Sequence, residues 1–230
     1  MKQVISDFLN LFFPEVCMAC GNSLYSGEKT ICTRCMLKLP RTNFHREAEN
    51  PVSKLFWGRA PIDYATSYFY FKKHSNVQQL MHHFKYRGNK EIGFFCGKLL
   101  GLALKESPYF ADIDYIIPVP LHPKKLIKRG YNQSEVIAKG MEEVMKGKTE
   151  TKTLIRNINS TTQTRKSRYE RFENMDGIFG LKDGYHLEGK HVLLVDDVIT
   201  TGSTLESCAL TLLQIPAIRV SVATLACAIQ

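Results

Sequence analysis

A pair of adjacent carboxylates followed by a run of hydroxyl side chains is the part of this sequence best suited to chemistry. Asp196 and Asp197 come directly after the apolar run Val192 to Val195, and a turn of small residues follows them. The small residues of the turn are Thr200, Thr201, Gly202, Ser203 and Thr204. Such hydroxyl groups, together with the free N–H groups of a helix N-terminus, accept a phosphate, and paired carboxylates can hydrogen-bond vicinal ribose hydroxyls or hold a hydrated Mg²⁺. The string therefore indicates a site for a phosphorylated sugar.

A strand before the acids and a helix after the turn must position this site. The apolar run predicts a buried strand with the acids at its tip, and Leu205 to Leu213 predicts a helix that Ser203 or Thr204 could cap. A strand followed by two acids also occurs in ordinary α/β domains, where acids cap helices. The longer pattern is more specific, because apolar residues, the acid pair and Thr-Thr-Gly-Ser-Thr resemble the phosphoribosyl diphosphate (PRPP) motif of type I phosphoribosyltransferases.

Four of the seven cysteines form two C-x₂-C pairs near the start of the chain: Cys17, Cys20, Cys32 and Cys35. Four thiolates suit tetrahedral Zn²⁺ and leave no open position for water, so we predict a structural zinc knuckle. Two disulfides or redox pairs are the alternatives, and disulfides are disfavoured because we expect no export signal. The stretch from Met1 to Phe13 is instead predicted to be an amphipathic helix. Whether the knuckle also touches nucleic acid or a partner stays open.

Basic residues occur in three further segments that we expect near the phosphates. A turn at 85–90 and a loop at 121–133 are rich in lysine and arginine, and the polar stretch 157–176 is predicted to form a lid. Each segment could instead be a solvated surface, but a basic loop after a strand lies where ligands bind in open α/β sheets. The candidates for the diphosphate are Lys85, Arg87, Arg129, Arg165 and Arg168.

The composition limits the class of protein. A chain of 230 residues with 44% hydrophobic side chains is long enough for one buried core with a small appendage. Lysine and arginine together number 31 against 22 acids, and the net charge of +9 favours polyanionic partners such as nucleic acid or diphosphates. No apolar stretch approaches the roughly 20 residues of a membrane span. We therefore expect no membrane span, and the lack of an export signal leads us to expect a cytoplasmic protein.

Three consecutive parts are predicted along the chain. Residues 1–45 form the knuckle, residues 46–63 form an irregular linker, and residues 64–230 form the main domain with its lid. Within the main domain, alternating or apolar segments predict strands at 64–71, 114–120, 153–156, 178–181 and 219–226.

Taken in order, these motifs resemble the ComF family, whose members are also called competence protein F-like or amidophosphoribosyltransferase-like proteins. The match covers nearly the whole chain: the cysteine pairs, 85–89, 118–122 with 129–133, 162–179 and 195–204. The resemblance implies an α/β, type I phosphoribosyltransferase fold, in which helices flank a parallel sheet of about five strands, beside a Cys₄ knuckle. It also implies a role in natural competence, on single-stranded DNA at the cytoplasmic side.

Three functions remain open from the sequence. The first is a protein that binds PRPP together with Mg²⁺, takes part in DNA uptake and handles single-stranded DNA. The second is an active transferase that moves ribose 5-phosphate from PRPP to a nucleobase or amine and releases diphosphate. The third is a module that senses PRPP and docks on a competence helicase or another DNA-processing protein. Hypoxanthine-type enzymes carry an aspartate where Thr200 stands, so purine salvage is disfavoured.

Overall fold

A parallel sheet forms the centre of the protein, for which a computed structural model describes residues 15–156 and 178–228. Its strands are β1 (Ala65–Tyr70), β2 (Tyr115–Pro118), β3 (Lys148–Thr149), β6 (His191–Ile199) and β7 (Arg219–Cys227). They lie in the order β1-β7-β6-β2-β3, and every neighbouring pair is parallel. Two short strands, β4 (Leu154–Arg156) and β5 (Phe179–Leu181), form a separate antiparallel pair. The predicted parallel sheet is therefore confirmed.

Helices cover both faces of this sheet. They are α1 (Thr33–Lys38), α2 (Asn76–Tyr86), α3 (Lys90–Lys105), α4 (Pro123–Arg129), α5 (Gln133–Glu142) and α6 (Ser203–Leu212). Short 3₁₀ helices occur at Phe44–Arg46, Ser53–Phe56 and Tyr185–Leu187. Because both faces are covered, the apolar run of β6 is completely buried, as is usual for the central strand of a parallel sheet. No helix in the described ranges has both the length and the hydrophobicity needed to cross a bilayer.

The core is divided by the sheet into two apolar clusters. One cluster contains α2, α3 and α5 together with the cysteine segment, so that Ile31 and Leu39 share it with Leu80 and Phe84. The other contains residues of α6 and of the small antiparallel pair, such as Leu205, Leu154 and Phe179. The cysteine segment therefore packs on the main domain and contributes to its core.

Helices α3 and α5 cross with their backbones in contact. A Cβ atom added at Gly140 would lie 2.1 Å from the carbonyl oxygen of Phe94, and one added at Gly97 would lie 2.3 Å from that of Ile137. Only glycine fits such positions. The crossing fixes α5 under the sheet, and the first turn of α5 contains Ser134, a residue of the candidate site.

Two local expectations about β6 and α6 are corrected by the structure. The acids do not end the strand, because β6 continues to Ile199, pairing with β7 as far as Cys227. Neither Ser203 nor Thr204 caps the following helix; the N-cap is Gly202, whose φ of 78° lies in the left-handed region. The helix therefore begins two residues earlier than predicted, and its hydroxyl groups are free to face outward.

The segment 46–63, predicted to be a linker, is folded against the main domain. Val52 and Phe56 are completely or almost completely buried in the cluster that contains α6. Pro51 lies in a turn before the 3₁₀ helix Ser53–Phe56 and Gly58 in a turn after it, so the segment is not an extended connection. The predicted N-terminal helix, Met1 to Phe13, and the predicted lid, 157–176, with Arg165 and Arg168, lie outside the described residues.

Candidate functional site

The two acids of β6 lie in different surroundings. Asp196 is partly buried, and its Oδ1 accepts hydrogen bonds from the Ser134 hydroxyl at 2.9 Å and from the backbone N–H of Asp197 at 2.8 Å. Asp197 is 8% exposed, and its Oδ1 lies 2.9 Å from the Lys85 ammonium at the end of α2. Sheet and helices thus hold both carboxylates in fixed positions.

The electrostatic balance of the pair favours a ligand that brings positive charge or hydroxyl groups. Burial, and then the negative charge of Asp197, raises the pKa of Asp196 to about 7, although its hydrogen bonds and Lys85 act in the opposite direction. Desolvation and a neighbouring like charge both disfavour the ionised carboxylate. A cation or a set of hydroxyl donors beside the pair would relieve this penalty.

The hydroxyl-rich turn opens to solvent next to the acids. Four of its side chains are exposed: Thr200, Thr201, Ser203 and Thr204. With Asp196 they line a hollow of about 50 Å³, which has the size of a phosphate group or a few water molecules. No described residue accepts a hydrogen bond from the backbone N–H groups at 203–205. The hydroxyl oxygens of Thr201 and Ser203 share a hydrogen bond at 3.1 Å. The hollow therefore offers the free N–H groups of a helix N-terminus beside the exposed hydroxyls of Thr200 and Thr204, as anion sites require.

Arg59 donates hydrogen bonds to the hydroxyl-rich turn, and the sequence analysis did not predict this role. Its guanidinium donates to the Thr201 carbonyl at 2.9 Å and to the Ser203 hydroxyl at 3.4 Å. It also donates to the Leu55 carbonyl at 3.0 Å and forms an ion pair with Glu206 in the first turn of α6. The segment predicted to be a linker thus carries the arginine that ties the turn to the helix after it.

The basic residues predicted to bind the diphosphate lie in different parts of the structure. Lys85 joins the acid pair directly, as described above. Arg129 instead donates to the Gln133 side chain at 2.7 Å, and its guanidinium lies 5.6 Å from the centre of the Tyr86 ring. Arg87 is exposed just after α2, with no described carboxylate in an ion pair with it. In the described structure, Lys85 is therefore the one predicted diphosphate residue bonded to the acids.

Tyr131 connects Lys85 to the neighbouring surface. Its hydroxyl donates to the carbonyl of Phe84, the residue before Lys85. The ammonium of Lys90 lies 5.2 Å from the centre of the Tyr131 ring, a cation–π geometry. The end of α2 is thus fixed by a buried aromatic residue that also reaches the start of α3.

The four predicted metal ligands come together as a candidate metal site. The Sγ atoms of Cys17, Cys20, Cys32 and Cys35 all lie within 4.8 Å of one another. A tetrahedron with Zn–S distances of about 2.3 Å has edges of about 3.8 Å, and Cys20 and Cys32 are 3.8 Å apart. The donor set therefore has the chemistry and the spacing for one tetrahedral ion.

Backbone N–H groups favour the thiolate at one of the four cysteines, Cys17, whereas burial raises the pKa of Cys32 and of Cys35. The N–H of Cys32 donates to the Sγ of Cys17 at 3.2 Å. Burial by itself would raise the pKa of Cys17, but N–H donation from Cys32, Cys20 and Ala19 lowers it to about 7. Because metal ligands must be deprotonated, these donors favour the metal-binding form of Cys17.

Comparison with known proteins gives a consistent assignment. Residues 137–228, which contain β6 and the hydroxyl turn, match the family model described as "Phosphoribosyl transferase domain". The chain is 31% identical to the DNA utilization protein YhgH of Salmonella typhi over 90% of this chain and 82% of that one. It is 31% identical to competence protein F of Haemophilus influenzae, over 55% and 57% of the two chains. It is 30% identical to competence protein ComFC of Bacillus subtilis, over 60% and 54%.

Proposed function

The chain belongs to the ComF family, and on this premise we propose that it binds PRPP and handles single-stranded DNA during DNA uptake. The names of its relatives, which refer to DNA utilization and competence, support the DNA part of the proposal. Its phosphoribosyl transferase domain supports the ligand. We place this activity on the cytoplasmic side of the membrane, where incoming DNA meets nucleotide metabolites.

One observation carries the PRPP assignment: a fixed acid pair lies beside an exposed cradle of hydroxyl and N–H donors on one strand-turn-helix unit. Asp196 and Asp197 would hold the ribose hydroxyls. The turn from Thr200 to Thr204, including Gly202, would bind the 5′-phosphate. Lys85 already contacts Asp197. When PRPP binds, Lys85 would keep this contact or bind the diphosphate. The remaining candidates for the diphosphate are Arg87, Arg129, Arg165 and Arg168.

Both metal ions of the proposal fit the groups present. Carboxylate oxygens beside a diphosphate are the ligands that Mg²⁺ takes while it keeps several waters. It would neutralise charge on the leaving diphosphate. Four buried or half-buried thiols suit Zn²⁺ in a closed, structural site.

Isothermal titration calorimetry with PRPP and Mg²⁺ tests the acid pair. The double variant Asp196→Asn with Asp197→Asn should lose PRPP binding, because neutral amides neither hold Mg²⁺ nor accept the ribose hydroxyls as strongly. The variant should stay folded, since the amide at position 196 can still accept from Ser134. Glu188→Gln, an exposed acid after Leu187, is the matched control and should bind as the unmodified protein does. Undiminished affinity in the double variant would refute the site.

A gel-shift titration with single-stranded DNA, with and without PRPP, tests the DNA part. Binding should weaken steeply as salt rises, because phosphate contacts release counterions. If no complex forms at low salt, the DNA function is wrong, whatever the calorimetry gives. A pull-down with competence helicases tests the proposed docking on a DNA-processing protein.

Active phosphoribosyl transfer is the second candidate, favoured by the family model that matches 137–228. The chemistry needs an acceptor nitrogen held at C1 of the ribose while diphosphate leaves. Thr200 is exposed and offers a hydroxyl where hypoxanthine-type enzymes carry an acid. Release of diphosphate from PRPP in the presence of a panel of bases and amines tests this candidate directly.

A further inference from the structure

A second, larger recess lies apart from the acid pair. It has a volume of about 1070 Å³ and runs between the cysteine segment, α3 and the α4–α5 corner. That volume is slightly above the range of about 300 to 1,000 Å³ for small-molecule pockets. The walls combine lysines with aromatic and aliphatic side chains. We call this recess the lysine groove, and neither the PRPP site nor the metal cluster uses it.

A stripe on α3 forms one wall of the lysine groove. Lys90, Phe94 and Lys98 are four residues apart in turn, which places them on one face of the helix. Phe94 is 40% exposed as a residue, although an aromatic side chain of this size is normally buried. Two cations separated by about 12 Å along the helix axis thus flank one uncovered ring.

The charges of the groove favour an anion. Four lysines and two glutamates line it, which leaves a net charge of +2. Lys139 is paired with Glu135 at 3.1 Å. Lys29, Lys90 and Lys98 are exposed, and among the described residues none of them forms an ion pair with a carboxylate. These three cations therefore remain available to a negatively charged ligand.

One residue of the lysine groove, Tyr131, also contacts the backbone at the end of α2. Tyr131 lines the groove, lies under Lys90 and donates to the carbonyl that precedes Lys85. Lys29, at the opposite wall, belongs to the cysteine segment between the two C-x₂-C pairs.

We propose that the lysine groove binds single-stranded nucleic acid, with a base stacked on Phe94 and phosphates held by Lys90, Lys98 and Lys29. Alternating cations and an exposed ring are the features that bind single strands without sequence preference, because every base has a face that can stack. A duplex hides its base faces, so it would gain the charge contacts alone. The inference rests on the DNA function proposed above and adds the surface on which the strand lies.

Fluorescence anisotropy with a labelled oligothymidine and the full chain tests the groove. Phe94→Ala should weaken binding about tenfold, or about 1.4 kcal/mol, since the variant loses the face on which one base stacks. Leu102→Ala, an exposed apolar residue further along α3 that does not line the groove, is the matched control and should bind normally. Melting curves by circular dichroism confirm that both variants are folded.

A salt series separates the groove from the general positive charge of the protein. Lys90→Gln with Lys98→Gln should reduce the slope of log K against log salt concentration by about 1.4, since each single-strand phosphate contact contributes about 0.7. Lys73→Gln with Lys105→Gln removes the same charge from exposed positions outside the groove and should leave the slope nearly unchanged.

Three results would overturn the proposal, and they are distinguishable. If the unmodified protein binds the oligonucleotide and the groove variants match their controls, the groove is wrong while the DNA function stands. If the unmodified protein binds no single strand at low salt, both fail. If polyglutamate competes as well as the oligonucleotide, the ligand of the groove is an acidic protein segment and not a nucleic acid.

Discussion

The two carboxylates of the acid pair have different partners. Asp197 has a cationic partner in Lys85, whereas Asp196 accepts only neutral donors and lies beside a like charge. Neighbouring carboxylates in a partly buried place share protons rather than ionise independently. The pair is therefore poised to change its protonation when a cation or a sugar binds.

The first consequence is a pH dependence of stability without Mg²⁺ or PRPP. Asp196 has its pKa raised from 3.8 to about 7, by burial first and by Asp197 second. The folded protein therefore binds a proton that the unfolded chain releases above pH 4 or so. This contribution to stability is fully present below the unfolded pKa and is lost as the pH rises through about 7.

Asp196→Asn removes this titration while keeping an oxygen for Ser134. Urea unfolding of both proteins between pH 4 and 8 should show the variant gaining stability relative to the unmodified chain as the pH rises. Lys85, Asp197 and Ser134 are the groups that face Asp196, and all three remain in the variant. Parallel curves across this range would mean that Asp196 is already ionised in the folded protein.

Arg59 gives a second prediction at the scale of one residue. Arg59→Ala removes the donors to the Thr201 carbonyl and the Ser203 hydroxyl and leaves Glu206 without its partner. The turn should lose its fixed shape, and the dissociation constant for PRPP should rise about tenfold, since hydrogen bonds to charged groups contribute about 1.5–3 kcal/mol. Calorimetry measures the change.

Two further variants separate positioning from charge. Arg59→Lys keeps the charge but cannot direct several donors in one plane, so it should restore only part of the affinity. Arg46→Ala removes an exposed arginine from the 3₁₀ helix Phe44–Arg46 and should bind PRPP normally. Equal affinity in all four proteins would show that the turn holds its shape without Arg59.

At the scale of elements, the site depends on how closely α3 and α5 pack. Gly140→Ala would place a Cβ atom against the Phe94 carbonyl, and backbone cannot move aside as a flexible side chain can. We expect a loss of about 1–3 kcal/mol in the free energy of unfolding, the usual cost of overpacking. Urea unfolding measures it, with Lys139→Ala, an exposed neighbour, as the control that should change little.

The elements themselves were largely predictable, whereas their ends and distant contacts were not. The apolar run Val192 to Val195 predicted β6, but the two acids after it suggested that the strand ends there. The strand continues to Ile199 because its backbone pairs with β7, and this pairing cannot be seen in the local sequence. The pattern of acids and hydroxyls predicted the candidate site, because these side chains are close together in one stretch of sequence. Arg59 carries no such signal, because 142 residues separate it from the Thr201 carbonyl that it contacts.

At the scale of the whole molecule, the cysteine segment stabilises more than itself. Ile31 and Leu39 pack in the same apolar cluster as Leu80 and Phe84 of α2. The end of α2 carries Lys85, which contacts Asp197. A disturbance at the metal cluster can therefore reach the acid pair through shared packing, without any direct contact between the two sites.

Loss of the metal should consequently weaken the half of the molecule on that side of the sheet. Mass spectrometry of the intact protein should find about one zinc per chain, as a closed Cys₄ set binds a single ion. Cys17→Ser with Cys32→Ser should abolish this zinc and lower the melting temperature. Hydrogen exchange should rise first around Ile31 and then in α2, because metal binding supplies folding free energy to a segment too small to hold its own core.

The other side of the sheet serves as the internal control for this experiment. Leu205 and Cys208 of α6 lie in the second apolar cluster, which contains no residue of the cysteine segment. Exchange there should stay close to that of the unmodified protein until the temperature approaches global unfolding. If exchange rises equally in α2 and α6, the two clusters unfold as one unit. If zinc is absent from the unmodified protein and the variant melts at the same temperature, the cysteines stabilise the fold as buried thiols alone.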